Sequence, residues 1–148
     1  MMRSLGSLFP ELAARETHVL VVGKQAGIPA GEYGFCESYC EDLECDCRLV
    51  LMLVHQPDSH QEWAAISYGW EPPIFYKNWA RCSLREARRM CLPVLDRSHA
   101  QSPYAPILLR AFYELTLDPE LKRRLARHYR IFKEGIRTLL DLEARALQ

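Results

Sequence analysis

The sequence has no long apolar run. Its longest, Leu49 to Val54 (LVLMLV), covers six residues, whereas a helix needs about 20 to cross a bilayer. No membrane-spanning helix is therefore expected. A secretory leader pattern is also missing. Arg3 precedes apolar residues that are broken up, and Glu11 follows soon after, so a cytoplasmic, reducing location is expected. Net charge is absent too: 19 Lys and Arg balance 19 Asp and Glu. There is no Gly-rich phosphate loop, no Gly-x-Ser-x-Gly nucleophile elbow, and no His-x-Glu with Pro-Cys-x-x-Cys. The chain thus shows no sign of a P-loop nucleotidase, an α/β-hydrolase or a zinc nucleotide deaminase. Internal repeats and low-complexity segments are missing as well.

What is present is an ordinary globular composition, 49% hydrophobic and 26% charged over 148 residues. That length suits a single domain, 1–148, which can bury a core without disulfides. A short helix is expected over 7–16, with Pro10 in its first turn. HVLVVG (18–23), EYGFCESYC (32–40), RLVLMLVHQ (48–56) and QEWAAISYGW (61–70) read as strands, joined by turns short enough for antiparallel pairing. The pattern then becomes helical. Ser83 and Glu86 have capping-box spacing. Ser102 and Pro103 open a second helix, running to about Leu117. Asp118-Pro119 opens a third, to about 146, with Leu121, Leu125, Phe132, Ile136 and Leu139 on one stripe. The expected fold is α+β: a small antiparallel sheet of about four strands (about 17–70) followed by about three helices (about 83–146), in two layers.

The informative stretch is YCEDLECDCR, Tyr39 to Arg48, with three cysteines in eight residues. In a reducing compartment such clustering points to metal binding more than to bridges. Cys45 and Cys47, two apart, share a face if extended, and Cys40 approaches across the hairpin mouth. Tetrahedral zinc, with Zn–S near 2.3 Å, needs sulfurs about 3.8 Å apart. Glu41, Asp42, Glu44 and Asp46 make the loop too acidic to favour thiolates unless a cation is present. Zinc on Cys40, Cys45 and Cys47 is therefore expected. Cys36 is the nearest candidate for a fourth ligand, although an extended strand would hold it about 13 Å from Cys40. His128, at the edge of the apolar stripe of the last helix, is the alternative. Cys82, Cys91, His99 or water could also serve. Four protein ligands would make the metal structural. A water in the fourth position would allow hydrolysis, with Glu37, Asp42 or Asp46 as base. Three thiolates weaken the metal as a Lewis acid, so the structural role is preferred.

Two further features stand out. SYGWEPPIFYKNW concentrates Tyr68, Trp70, Phe75, Tyr76 and Trp79, and is expected to seal the edge of the sheet where the helices begin. Charge is split between the halves: residues 1–75 hold 4 basic against 11 acidic side chains, and residues 76–148 hold 15 against 8. Residues 121–137 carry seven Lys and Arg against one Glu. That stretch could follow a phosphate backbone, but no base-reading motif accompanies it and the acidic half opposes it. Nucleic acid is therefore not expected, and a solvated basic half is the favoured reading; the partner is left open, with another protein as the candidate.

Taken together, YCEDLECDCR, QSPYAPILL (101–109) and RLARHYRIF (124–132) resemble a family of small uncharacterised bacterial proteins with a Tyr-Cys-x4-Cys-Asp-Cys-Arg element, over most of the chain from about residue 30. The resemblance implies a shared fold and carries no activity. It places the family thiols on Cys40, Cys45 and Cys47, leaves Cys36 outside the pattern, and sets the His of Arg-His-Tyr at His128. The expected function is a zinc-stabilised interaction module. A zinc hydrolase and a nucleic-acid accessory protein are the alternatives.

Overall fold

The structure is a computed structural model that describes residues 1–57 and 59–148. The sheet is built around β3 (Gly31–Cys40), its longest strand. One edge of β3 pairs antiparallel with β4 (Leu49–His55), and β4 pairs antiparallel with β5 (Ala64–Gly69). The other edge is shared. β1 (Met2–Ser4) pairs with Ser38–Cys40, and β2 (His18–Val22) pairs with Gly31–Phe35. A two-residue β6 (Val94–Leu95) closes the far side against β5. The α+β class and the antiparallel meander of four strands are as the sequence implies. The described residues add β1 and β6 to that meander, for six strands in all.

Period-two alternation sorts the faces. Tyr33, Phe35, Glu37 and Tyr39 of β3 point to the same side as Val50, Met52 and Val54 of β4 and Ala64, Ile66 and Tyr68 of β5, all buried. Over this face lie α5 (Ala105–Thr116) and the 28-residue α6 (Pro119–Ala146). Leu108, Phe112, Leu125, Phe132 and Ile136 complete a continuous apolar core.

Six helices are described where about three were expected. The single early helix is two, α1 (Leu5–Leu8) and α2 (Pro10–Glu16). The Pro10 ring excludes helical backbone at the preceding residue, and Phe9 takes φ −131° and ψ 69°. That break drops the Phe9 ring onto Gly135 of α6, where a β-carbon would sit 2.7 Å from it. The aromatic segment forms α3 (Pro73–Ala80). It is followed by α4 (Leu84–Met90), which carries the expected Ser83–Glu86 capping box. These two helices cover one end of the opposite sheet face. Tyr76 and the Met90 carbonyl press so closely on Gly69 that a β-carbon there would lie 2.5 Å from the Tyr76 ring.

The helix expected to open at Ser102 begins at Ala105 instead. Ser102 Oγ accepts from the Tyr104 amide (3.1 Å) to form a turn ahead of it. The neighbouring Gln101 side chain substitutes for a strand beside β5. Its Oε1 accepts from the Ala65 amide (3.0 Å), and its Nε2 donates to the carbonyls of Ala65 (2.9 Å) and Asp96 (2.7 Å).

Candidate metal centre

Cys40 is the last residue of β3, and the chain then turns through residues 41–48 before β4 begins. The turn is held by bonds that do not involve sulfur. Asp42 accepts from the amides of Cys45 (carbonyl, 3.1 Å) and Glu44 (Oδ1, 3.0 Å), a local turn device favoured by aspartate. From α6, Lys133 Nζ donates to the carbonyls of Asp42 (2.7 Å) and Cys45 (2.9 Å). Tyr129 Oη donates to Asp46 Oδ1 (2.8 Å). Arg48 has left-handed backbone (φ 48°) where the chain reverses into β4. Its guanidinium grips Asp46 (2.8 Å) and Glu71 (2.9 Å) and lies 4.4 Å from the Phe75 ring centroid. Its carbonyl accepts from Tyr76 Oη (2.7 Å). Tyr68, Trp70 and Tyr76 are buried at this end of the sheet as expected, Trp79 is exposed instead, and Phe75 and Tyr76 also anchor the end of the cysteine loop.

Within this frame the sulfurs of Cys40, Cys45 and Cys47 all lie within 4.8 Å of one another. Tetrahedral Zn–S geometry asks for about 3.8 Å, so an ion would draw them together by at most about 1 Å per edge. Cys40 and Cys47 are buried and Cys45 is half-buried. The convergence does not come from a strand pleat, as the two-residue spacing suggested. Cys45 and Cys47 sit in the loop, and the Asp42 turn aims them. Burial pushes the Cys47 thiol up to about 11, opposed by the Leu49 amide and reinforced by the adjacent Cys45 and Cys40. A cation among these sulfurs reverses that balance by favouring thiolates. The donor set, three soft sulfurs and no oxygen, fits zinc or another thiophilic metal.

Neither candidate for a fourth ligand joins the group. Cys36 lies outside the sulfur cluster. It stands opposite Leu53, four residues before Cys40 on β3, because the strand remains extended through residue 40. His128 is fully buried with both ring nitrogens engaged: Nδ1 is 2.7 Å from Glu37 Oε1 and Nε2 is 3.2 Å from Glu16 Oε1. Cys82 and Cys91 bond to the carbonyls of Tyr76 (3.8 Å) and Glu71 (3.2 Å), and His99 pairs with Asp96. Among the described residues the group able to hold a metal has three members. The carboxylates considered as bases are occupied as well. Glu37 accepts from Tyr39 and faces His128, Asp46 is held by Arg48 and Tyr129, and Asp42 shapes the turn.

The line Tyr39–Glu37–His128–Glu16–Arg127 is a second polar constellation, running from the core to the surface. Sequence reasoning treated its members separately. A sign of it was available: Glu37 falls at a core-facing position between Phe35 and Tyr39, and a carboxylate there requires a buried partner. The Arg127 guanidinium, helped by His128, holds the Glu16 carboxyl down at about 2, against an ordinary 4.5. A depressed folded-state pKa contributes stability that is fully present above the unfolded value and disappears as pH falls through the folded one. The parent should therefore lose stability relative to Arg127→Gln between about pH 4.5 and pH 2, a difference readable from denaturant midpoints across that window. Parallel pH profiles for the two proteins would contradict this coupling.

Fold and site together define an α+β protein with a three-cysteine cluster able to hold a metal ion. No known protein family, curated protein or solved structure matches this chain.

Proposed function

We propose that the protein is a zinc protein of the cytoplasm in which Cys40, Cys45 and Cys47 bind the metal as thiolates, that the role of the metal is structural, and that the domain serves as an interaction module. The observation that carries this reading is the set of three sulfurs within 4.8 Å of one another. The site would staple the end of β3 to the loop leading into β4, at the point where Lys133 and Tyr129 tie the same loop to α6. Zinc, when bound, would supply the positive charge that four acidic neighbours cannot, and would cross-link two segments of backbone. The structural role is supported by the engagement of Glu37, Asp42 and Asp46 in other bonds, which leaves the hydrolytic alternative without a free base among them. The nucleic-acid alternative loses support because the basic face of α6 is interrupted: Arg127 is paired with Glu16, Lys133 is held by two carbonyls, and the acidic Glu120 and Glu134 stand beside Arg123 and Arg137.

The test is elemental analysis of the reduced protein, joined to cobalt substitution. About one zinc per chain and a thiolate-to-cobalt charge-transfer band are expected. Metal-free protein that takes up neither ion would refute the reading. A cobalt spectrum that shifts with added hydroxide or substrate anions would favour the hydrolase.

A further inference from the structure

An open groove of about 620 Å³ runs between α1 and the outer side of α6, well away from the cysteines. Its apolar lining is Leu8 and Phe9 on one wall and Ile131, Leu139 and Leu142 of α6 on the other, with Gly135 between them. From Leu140 onward every residue of α6 is exposed, including Leu140 (48%) and Leu142 (56%). Beside the groove runs a row of charges, Arg130, Glu134, Arg137 and Asp141, whose signs alternate at spacings that keep them on one face of the helix.

We propose that this groove is the interface of a homodimer, in which α6 of a second copy lies antiparallel to α6 of the first. The charge row carries the argument. A row that reads plus, minus, plus, minus complements itself only when reversed. A two-fold axis between Gly135 and Ile136 sets Arg130 against Asp141 of the second copy and Glu134 against its Arg137, in both directions. A parallel arrangement would set like charge against like. Arg130 and Asp141 have no ion-pair partner within their own chain among the described residues. Glu134 and Arg137 meet each other at 3.2 Å while largely exposed, so both remain available to a second copy.

The same axis brings Ile131 level with position 140 of the second copy, between its Leu139 and Leu142, the layering of an antiparallel helix pair. The balanced signs also separate this occupant from others. An anionic membrane or a nucleic acid would call for a predominantly basic rim.

Sedimentation equilibrium of the full chain tests the proposal, and a concentration-dependent dimer is expected. Asp141→Arg should weaken it by about tenfold or more, because two attractive contacts become repulsive. The double variant Arg130→Asp with Asp141→Arg should restore it, since reversing both partners restores the match. Both positions are exposed, so each variant should keep the parent's circular dichroism. Leu142→Glu should abolish association. A parent that stays monomeric at every concentration overturns the proposal. So does a dimer indifferent to Asp141→Arg, or a monomer that instead binds phosphatidylcholine vesicles through the groove.

Discussion

Cys47→Ser is expected to purify without zinc and to melt about 10 °C below the parent. An ion held a thousandfold above its dissociation constant contributes about 4 kcal/mol to the state that binds it. For a domain of this size each kcal/mol moves the midpoint by about 2–4 °C. Serine is nearly isosteric but presents a hard oxygen that stays protonated, so the packing of the loop survives while the metal is lost. The parent treated with chelator should melt where the variant does, since both then lack the same bonds. Cys36→Ser and Cys91→Ser should keep their zinc, because neither sulfur belongs to the cluster. Calorimetry with parallel metal analysis reads all five samples. An unchanged melting temperature in Cys47→Ser, or zinc lost equally from Cys36→Ser, would remove the site.

The second large effect is expected at His128. The ring is fully buried against Glu37, which is itself 5% exposed. His128→Ala leaves that carboxylate with Tyr39 as its remaining side-chain partner and opens a cavity in the core. Leaving a buried polar group short of its partner and opening a cavity beside it together cost about 3–5 kcal/mol, a fall of about 10 °C here. Removing the whole buried set is a different matter. Tyr39→Phe, Glu37→Met and His128→Leu together should melt near the parent, because a fully matched set of buried polar groups contributes little net stability over apolar groups of similar volume. Denaturant unfolding of the single and triple variants distinguishes the two cases. If the triple variant falls as far as His128→Ala, the polar chain is a net source of stability rather than a matched set whose danger lies in being half removed.

The two sites differ in how readable they were. The thiols were visible as a cluster because all three lie within eight residues, so local chain geometry nearly guarantees their proximity. The fourth-ligand candidates failed for reasons that sit elsewhere in the molecule. Cys36 is held away by the full extension of β3, and His128 is claimed by Glu37 and Glu16, which are 91 and 112 residues away in the chain. Helix α3 is not legible in the sequence because PIFYKNWA is short, with three aromatics, one β-branched residue and an asparagine, and has little helical preference of its own. It becomes a helix because Tyr76 packs on Gly69 and bonds to the Arg48 carbonyl.

By itself, the sequence determined what depends on neighbours a few residues apart. The alternation that makes β3, β4 and β5, the Ser83–Glu86 and Asp118–Pro119 helix starts, and the gathering of Cys40, Cys45 and Cys47 are all of that kind. Tertiary structure alone decided which residues far apart in the chain meet. It put Lys133 on the cysteine loop, Phe9 on Gly135, Gln101 beside β5, and Glu37 against His128. The physical reason is range. Backbone preference and side-chain period act over one turn or one hairpin, while a buried charge or a docked ring takes its partner from whichever element the packing of the core brings to it.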